Sequence, residues 1–122
     1  QISGKPIEIY GFDIHPYICE IVENECVHFQ HGDFCNINHE EIFDLVVLFD
    51  VIEHIIDPIS FIKEVSKSCR MIAFHIPLDD SLFTWFRDLP KSKLIKPGHL
   101  VNLNSSSALN LLVYSGLRVI SY

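Results

Sequence analysis

Cysteine is sparse and scattered in this sequence. Cys19, Cys26, Cys35 and Cys69 form no C-x-x-C pair, and Cys19 and Cys69 sit in apolar patterns, where a free thiol behaves as a small hydrophobe. Reduced, structural thiols are expected. Positive charge is also short: nine Lys and Arg stand against sixteen Asp and Glu, for a formal net charge of -7. Nonspecific nucleic-acid binding needs a basic surface to neutralise phosphates, so that class is excluded. The cluster Lys91, Lys93 and Lys96 lies in a polar stretch and is read as a solvated loop. No apolar run reaches the length of a membrane span, and residues 1–6 carry neither the basic nor the apolar region of a secretory signal. A cytoplasmic setting without membrane contact follows. Metal binding is not expected, because His28 and His31, three apart on a strand, point to opposite faces and no pair has zinc-finger spacing.

What the chain does have is apolar content, 48% of 122 residues with 20% charged, enough for one globular domain with a core. Its most informative stretch is FDLVVLFDVIEHIIDP at 43–58. The apolar half is continuous rather than alternating, the pattern of a strand buried on both faces of a parallel sheet. It turns acidic at once, through Asp50, Glu53, His54 and Asp57. In an open α/β sheet the crevice beyond the carboxyl ends of the strands is where ligands bind.

The remaining elements fall around this strand. Residues 7–12 read as a strand, 15–24 as a helix opened by Pro16, and 27–30 as a second strand ending at Gly32-Asp33-Phe34. Residues 35–41 are polar enough for a loop or a weak helical turn. Asp57 can cap a helix with Pro58 at its first position, and 70–76 is a further strand, with His75 expected as a satisfied core histidine. Residues 78–98, with Phe83, Trp85 and Phe86, read as an insertion within a single domain spanning 1–122. Ser105, Ser106 or Ser107 caps a helix ending at Gly116, and 117–122 reads as a last strand. The alternation predicts an α/β fold: a Rossmann-like, mostly parallel sheet with helices on both faces and right-handed crossovers.

In this order the stretches YGFDIHP (10–16), VHFQHGDF (27–34), FDLVVLFDVIEHIIDP (43–58), FHIP (74–77) and GHLVNLNSSSALNLLVYSGLRVI (98–120) resemble the class I S-adenosylmethionine-dependent methyltransferases, particularly their small-molecule branch. The resemblance implies that Asp13 accepts hydrogen bonds from the cofactor's ribose hydroxyls and that Ile14 packs on its adenine. It further implies that Asp33 accepts from the adenine amino group, that Phe34 offers a backbone donor, and that Asp50 and Val51 line the methionine end. An aspartate at a strand end or after glycine also serves as a turn or cap residue, and that reading stays open for both. Glu53 and His54 are the catalytic candidates, orienting substrate or supplying a base, with fixing of the loop as the alternative role. On the substrate side stand His99, near the site mouth, and Trp85 and Phe86, capping the pocket.

The sequence departs from the family in one respect of chemistry and one of architecture. No G-x-G occurs among Gly4, Gly11, Gly32, Gly98 and Gly116, so the family's glycine-rich loop is missing. The strands present correspond to a sheet lacking the family's first and last strands. Such a sheet is expected to bridge its gap by pairing 7–12 with 45–49, or through a partner chain, and its unpaired edges invite self-association. The expected activity is methyl transfer from S-adenosylmethionine to a small molecule. Two rivals are a noncatalytic methyltransferase-like module for binding or oligomerisation and a fragment of a nicotinamide-dependent dehydrogenase, whose ribose Asp13 would serve equally well.

Overall fold

Two short parallel ribbons carry most of the extended chain. The computed structural model describes residues 4, 7–21, 23–37, 42–78 and 100–122, and the chain divides into two compact units, Gln1–His39 and Glu40–Tyr122.

In the first unit, β1 (Ile9–Asp13) pairs in parallel with β2 (Val27–His31), from Ile9 opposite Val27 to Asp13 opposite His31. The crossover is a 3-10 turn at Pro16–Glu20 rather than the expected helix over 15–24. His15 caps the turn and Ile21 returns to extended backbone. Asn24 then pairs with Val27 in an antiparallel bridge. A connection that must bring residue 27 level with residue 9 leaves little chain for α-turns. Only Ile18 of the turn is buried, and Cys19 is exposed although it sits in an apolar pattern.

The second unit is a βαβ arrangement with an added helix. β3 (Phe43–Phe49) and β4 (Cys69–His75) are parallel and level, Phe43 opposite Cys69 and Phe49 opposite His75. Between them α1 (Pro58–Val65) opens on Asp57, whose carboxylate accepts from the Ser60 N–H at 3.1 Å, and Pro58 takes the first helical position, as expected. Ile62 and Val65 are buried. α2 (Ser105–Tyr114) is capped by Asn104 instead of a serine. The Asn104 side chain accepts from the Ser107 N–H and the Ser107 hydroxyl accepts from the Asn104 N–H, both at 2.9 Å, a reciprocal capping box. Its far end is a Schellman motif. Gly116, at φ 87°, donates to the Val113 carbonyl, and Leu117 donates to Leu112.

The core of this unit joins Leu48, Ile52, Ile62, Leu103 and Ala108, with Val46, Ile72 and Phe74 packed against them. One face of the β3–β4 ribbon is therefore covered. The other is not: Leu45, Val47, Phe49 and Met71 are exposed, so the strand expected to be buried on both faces is buried on one. Residues 117–122 form no strand. β-propensity is expressed only against a neighbour, and no described strand lies alongside them. Among the described residues β1 pairs with β2 and β3 with β4, so the expected bridging of 7–12 to 45–49 does not form. The architecture is α/β with parallel strands, consistent with a Rossmann-like fragment. No helix among the described residues is long and apolar enough to cross a membrane.

Candidate functional site

In the first unit the parallel register brings the carboxyl ends of both strands to one edge, and the two aspartates follow from that. Gly32, at φ 149°, makes the turn out of β2 and donates its N–H to the Asp13 carbonyl at 2.8 Å. Asp13 Oδ1 accepts from the His15 N–H at 2.8 Å. The His31 Nε2–H donates to the Ile14 carbonyl at 2.9 Å, a carbonyl being an acceptor only, and so holds the residue after Asp13 in place. The Ile14 side chain is 76% exposed, an apolar surface offered beside a carboxylate.

Asp33 caps a 3-10 turn, Phe34–Asn36. Its Oδ1 accepts from the Cys35 N–H at 3.0 Å and its Oδ2 from the Asn36 amide at 2.9 Å. The Phe34 ring meets Phe12 edge to face at 5.1 Å. Both aspartates are thus local turn or cap residues, the bland role left open by the sequence. An ionised carboxylate has about four lone-pair positions, and the local donors leave acceptor capacity on each. Two carboxylates with spare acceptor sites on one edge, next to an exposed aliphatic side chain, fit the hydroxyls, amino group and ring face of a nucleoside.

In the second unit β3 ends in an unusual turn. Asp50 has φ 50°, left-handed and uncommon outside glycine. Its N–H donates to the His75 carbonyl at 3.1 Å and its Oδ1 lies 2.8 Å from His75 Nδ1. Val51 then opens a 3-10 turn, Ile52–His54, pinned by the buried Ile52. Glu53 is 1% exposed, and neither of its carboxylate oxygens has a hydrogen-bond partner among the described residues. Its carbonyl accepts from Leu100 at 2.7 Å and Val101 at 3.2 Å, tying that segment to the turn. His54 is partly exposed, with its Nε2 4.0 Å from Glu53 Oε1, too far for a hydrogen bond.

His75 is not the core histidine expected from the sequence. Its side chain is 63% exposed, on the ribbon face opposite Ile72 and Phe74. Period-two alternation carries the signal, since Ile72 and Phe74 face the core and His75, next to Phe74, faces away. His99, Trp85 and Phe86 lie outside the described residues. Among the described residues no group of three or more His, Cys, Asp or Glu could hold a metal ion. An open groove of about 460 Å³ runs along Leu109, Val113 and residues 119–122. It has no acid or histidine in its lining.

Comparison with known proteins supplies the family. A family model described as a methyltransferase domain matches residues 2–71, a span that includes Asp13, Asp33 and the whole Asp50–His54 turn and stops short of His75. No curated protein and no solved structure matches the chain. Since the family match covers more than half of the sequence, the chain belongs to the class I S-adenosylmethionine-dependent methyltransferase family.

Proposed function

We propose that this protein transfers a methyl group from S-adenosylmethionine to a small-molecule acceptor. The observation that carries the reading is the pairing of Asp13 and Asp33 on the carboxyl edge of β1 and β2, tied by the Gly32–Asp13 hydrogen bond and flanked by exposed Ile14. Asp13 would hold the ribose hydroxyls, Ile14 the adenine face, and Asp33 with the Phe34 backbone the adenine edge. When bound, the cofactor supplies an already activated methyl group, so little covalent chemistry is asked of the protein. The side chains orient the acceptor, a proximity effect. The family resemblance assigns Asp50 and Val51 to the methionine end and His54 to the acceptor, with Glu53 setting the turn.

The sequence has no G-x-G turn to offer backbone donors to the methionine carboxylate, and affinity is expected to be weak. Amide-resolved NMR suits weak binding. Titrating the chain with S-adenosylhomocysteine should shift the amides of Asp13, Ile14, Asp33 and Phe34. Shifts there with NADH and none with S-adenosylhomocysteine would replace the reading with the dehydrogenase alternative.

A second reading has its own observation. The open apolar face of Leu45, Val47, Phe49 and Met71 supports a noncatalytic module that associates with copies of itself. Sedimentation velocity showing a monomer across a wide concentration range removes it.

A further inference from the structure

We propose that His75, held by Asp50, is the proton-accepting side chain of this protein and that the methyl acceptor it serves is a hydroxyl. The proposal rests on the methyl-transfer reading above, and it moves the base from His54 to a histidine beyond the family-matched residues.

The geometry begins in the register. Phe49 lies opposite His75, so β3 and β4 finish level and the next residue, Asp50, reaches the end of β4. It grips His75 twice. The Asp50 N–H takes the His75 carbonyl at 3.1 Å, and Asp50 Oδ1 stands 2.8 Å from Nδ1. Both contacts are made with Asp50 in left-handed backbone at φ 50°, a conformation that costs a non-glycine residue free energy and persists where its surroundings over-determine it. The Phe49 ring, 5.9 Å from the imidazole, borders it on the same face.

A carboxylate only accepts, so Nδ1 carries the hydrogen, and in the neutral ring Nε2, across from it, keeps its lone pair. This is the arrangement of a base oriented by a third group. Glu53, the acid next to His54, stands 4.0 Å from its Nε2, too far for a hydrogen bond. The same two strands offer a control at their amino end, where Arg70 and Asp44 make an ion pair at 3.4 Å between exposed side chains, with no positive-φ residue in the pair. The Asp50–His75 pair instead occupies the end of the ribbon at which α/β folds bind ligands.

A hydroxyl is the acceptor that needs such a base, because its proton must leave as the oxygen takes the methyl group. The O–H bond breaks with the proton passing to Nε2, and an O–CH3 bond forms from the oxygen's electron pair. The pair of the broken S–CH3 bond stays on sulfur, which becomes neutral. The charge gained by the ring faces the Asp50 carboxylate.

Histidine-labelled chain, observed by 15N NMR, tests this without turnover. The native protein should show His75 with hydrogen on Nδ1, and Asp50→Gly, which suits the left-handed backbone while removing the carboxylate, should lose that preference. Phenol should move the Nε2 resonance, and anisole, the same ring without the hydroxyl, should not. An Nε2–H tautomer in the native chain overturns the proposal, as does an Nε2 signal that ignores phenol or answers both probes alike. The S-adenosylhomocysteine titration reads separate residues, Asp13 to Phe34, so failure of the methyl-transfer reading is seen independently of these signals.

Discussion

The Gly32 amide donates to the Asp13 carbonyl at 2.8 Å, so the end of β1 and the turn after β2 are one hydrogen-bonded unit. The backbone of the ribose candidate is thereby fixed while its carboxylate remains at the edge. Asp13→Asn keeps an oxygen to accept from the His15 N–H and removes the charge. Hydrogen bonds to a charged group are worth about 1.5–3 kcal/mol each, so S-adenosylhomocysteine should bind roughly tenfold or more weakly to this variant. Equal NMR-derived affinities for the two proteins would remove Asp13 from the site.

The Phe29 ring lies over Gly11, its partner across the ribbon. A Cβ at residue 11 would stand 2.5 Å from Phe29 Cδ1. Gly11→Ala must displace that ring from a half-buried position, an overpacking change of about 1–3 kcal/mol. The expected outcome is a lower urea midpoint for Gly11→Ala than for the native chain, largely restored by adding Phe29→Leu to the variant.

The sequence pattern located most elements and misjudged their surroundings. Asp57-Pro58 before Phe61, Ile62 and Val65 is a local signal, since cap, first turn and buried face all lie within nine residues, and α1 forms there. Gly116 likewise marks the end of α2. The order of strand, turn and acid also placed Asp13, Asp33 and Asp50 at or after strand ends, because each parallel ribbon brings its own carboxyl ends to one edge. What depends on neighbours was not legible. The run Leu45 to Phe49 looks the same whether one face or two are covered, and the choice decides whether His75 is buried or open. Nothing near residue 50 announces a left-handed aspartate. Its partner, His75, lies 25 residues further along the chain.

Asp57 gives a pH signature. Its hydrogen bonds to Ser60, from the side chain first and the backbone next, hold its carboxyl below the usual range. A group whose pKa is lower in the folded state stabilises that state above its unfolded value, about 4, and the contribution is lost as pH falls through the folded value. Unfolding followed by circular dichroism should show Asp57→Asn losing less stability than the native chain on going from about pH 5 to pH 2. Parallel curves would show that the cap's charge carries no stability.

Glu53 and His54 are adjacent, and opposite outcomes are expected of them. The Glu53 carboxylate is buried with neither oxygen hydrogen-bonded among the described residues, and a buried polar group left in that state costs about 1–3 kcal/mol. Glu53→Met removes the cost at similar length, so the urea midpoint should rise, while any part the acid plays in setting the His54 turn is lost. His54 is partly exposed and its ring makes no hydrogen bond to Glu53 at 4.0 Å. His54→Ala should therefore change stability by only about 0.5 kcal/mol and leave S-adenosylhomocysteine affinity unchanged. If His54 positions the acceptor, kcat falls in that variant with cofactor binding intact. A His54→Ala chain that unfolds as readily as a core variant would make the histidine a fixture of the turn, and a Glu53→Met chain with a lower midpoint would show that the carboxylate has a partner the folded protein needs.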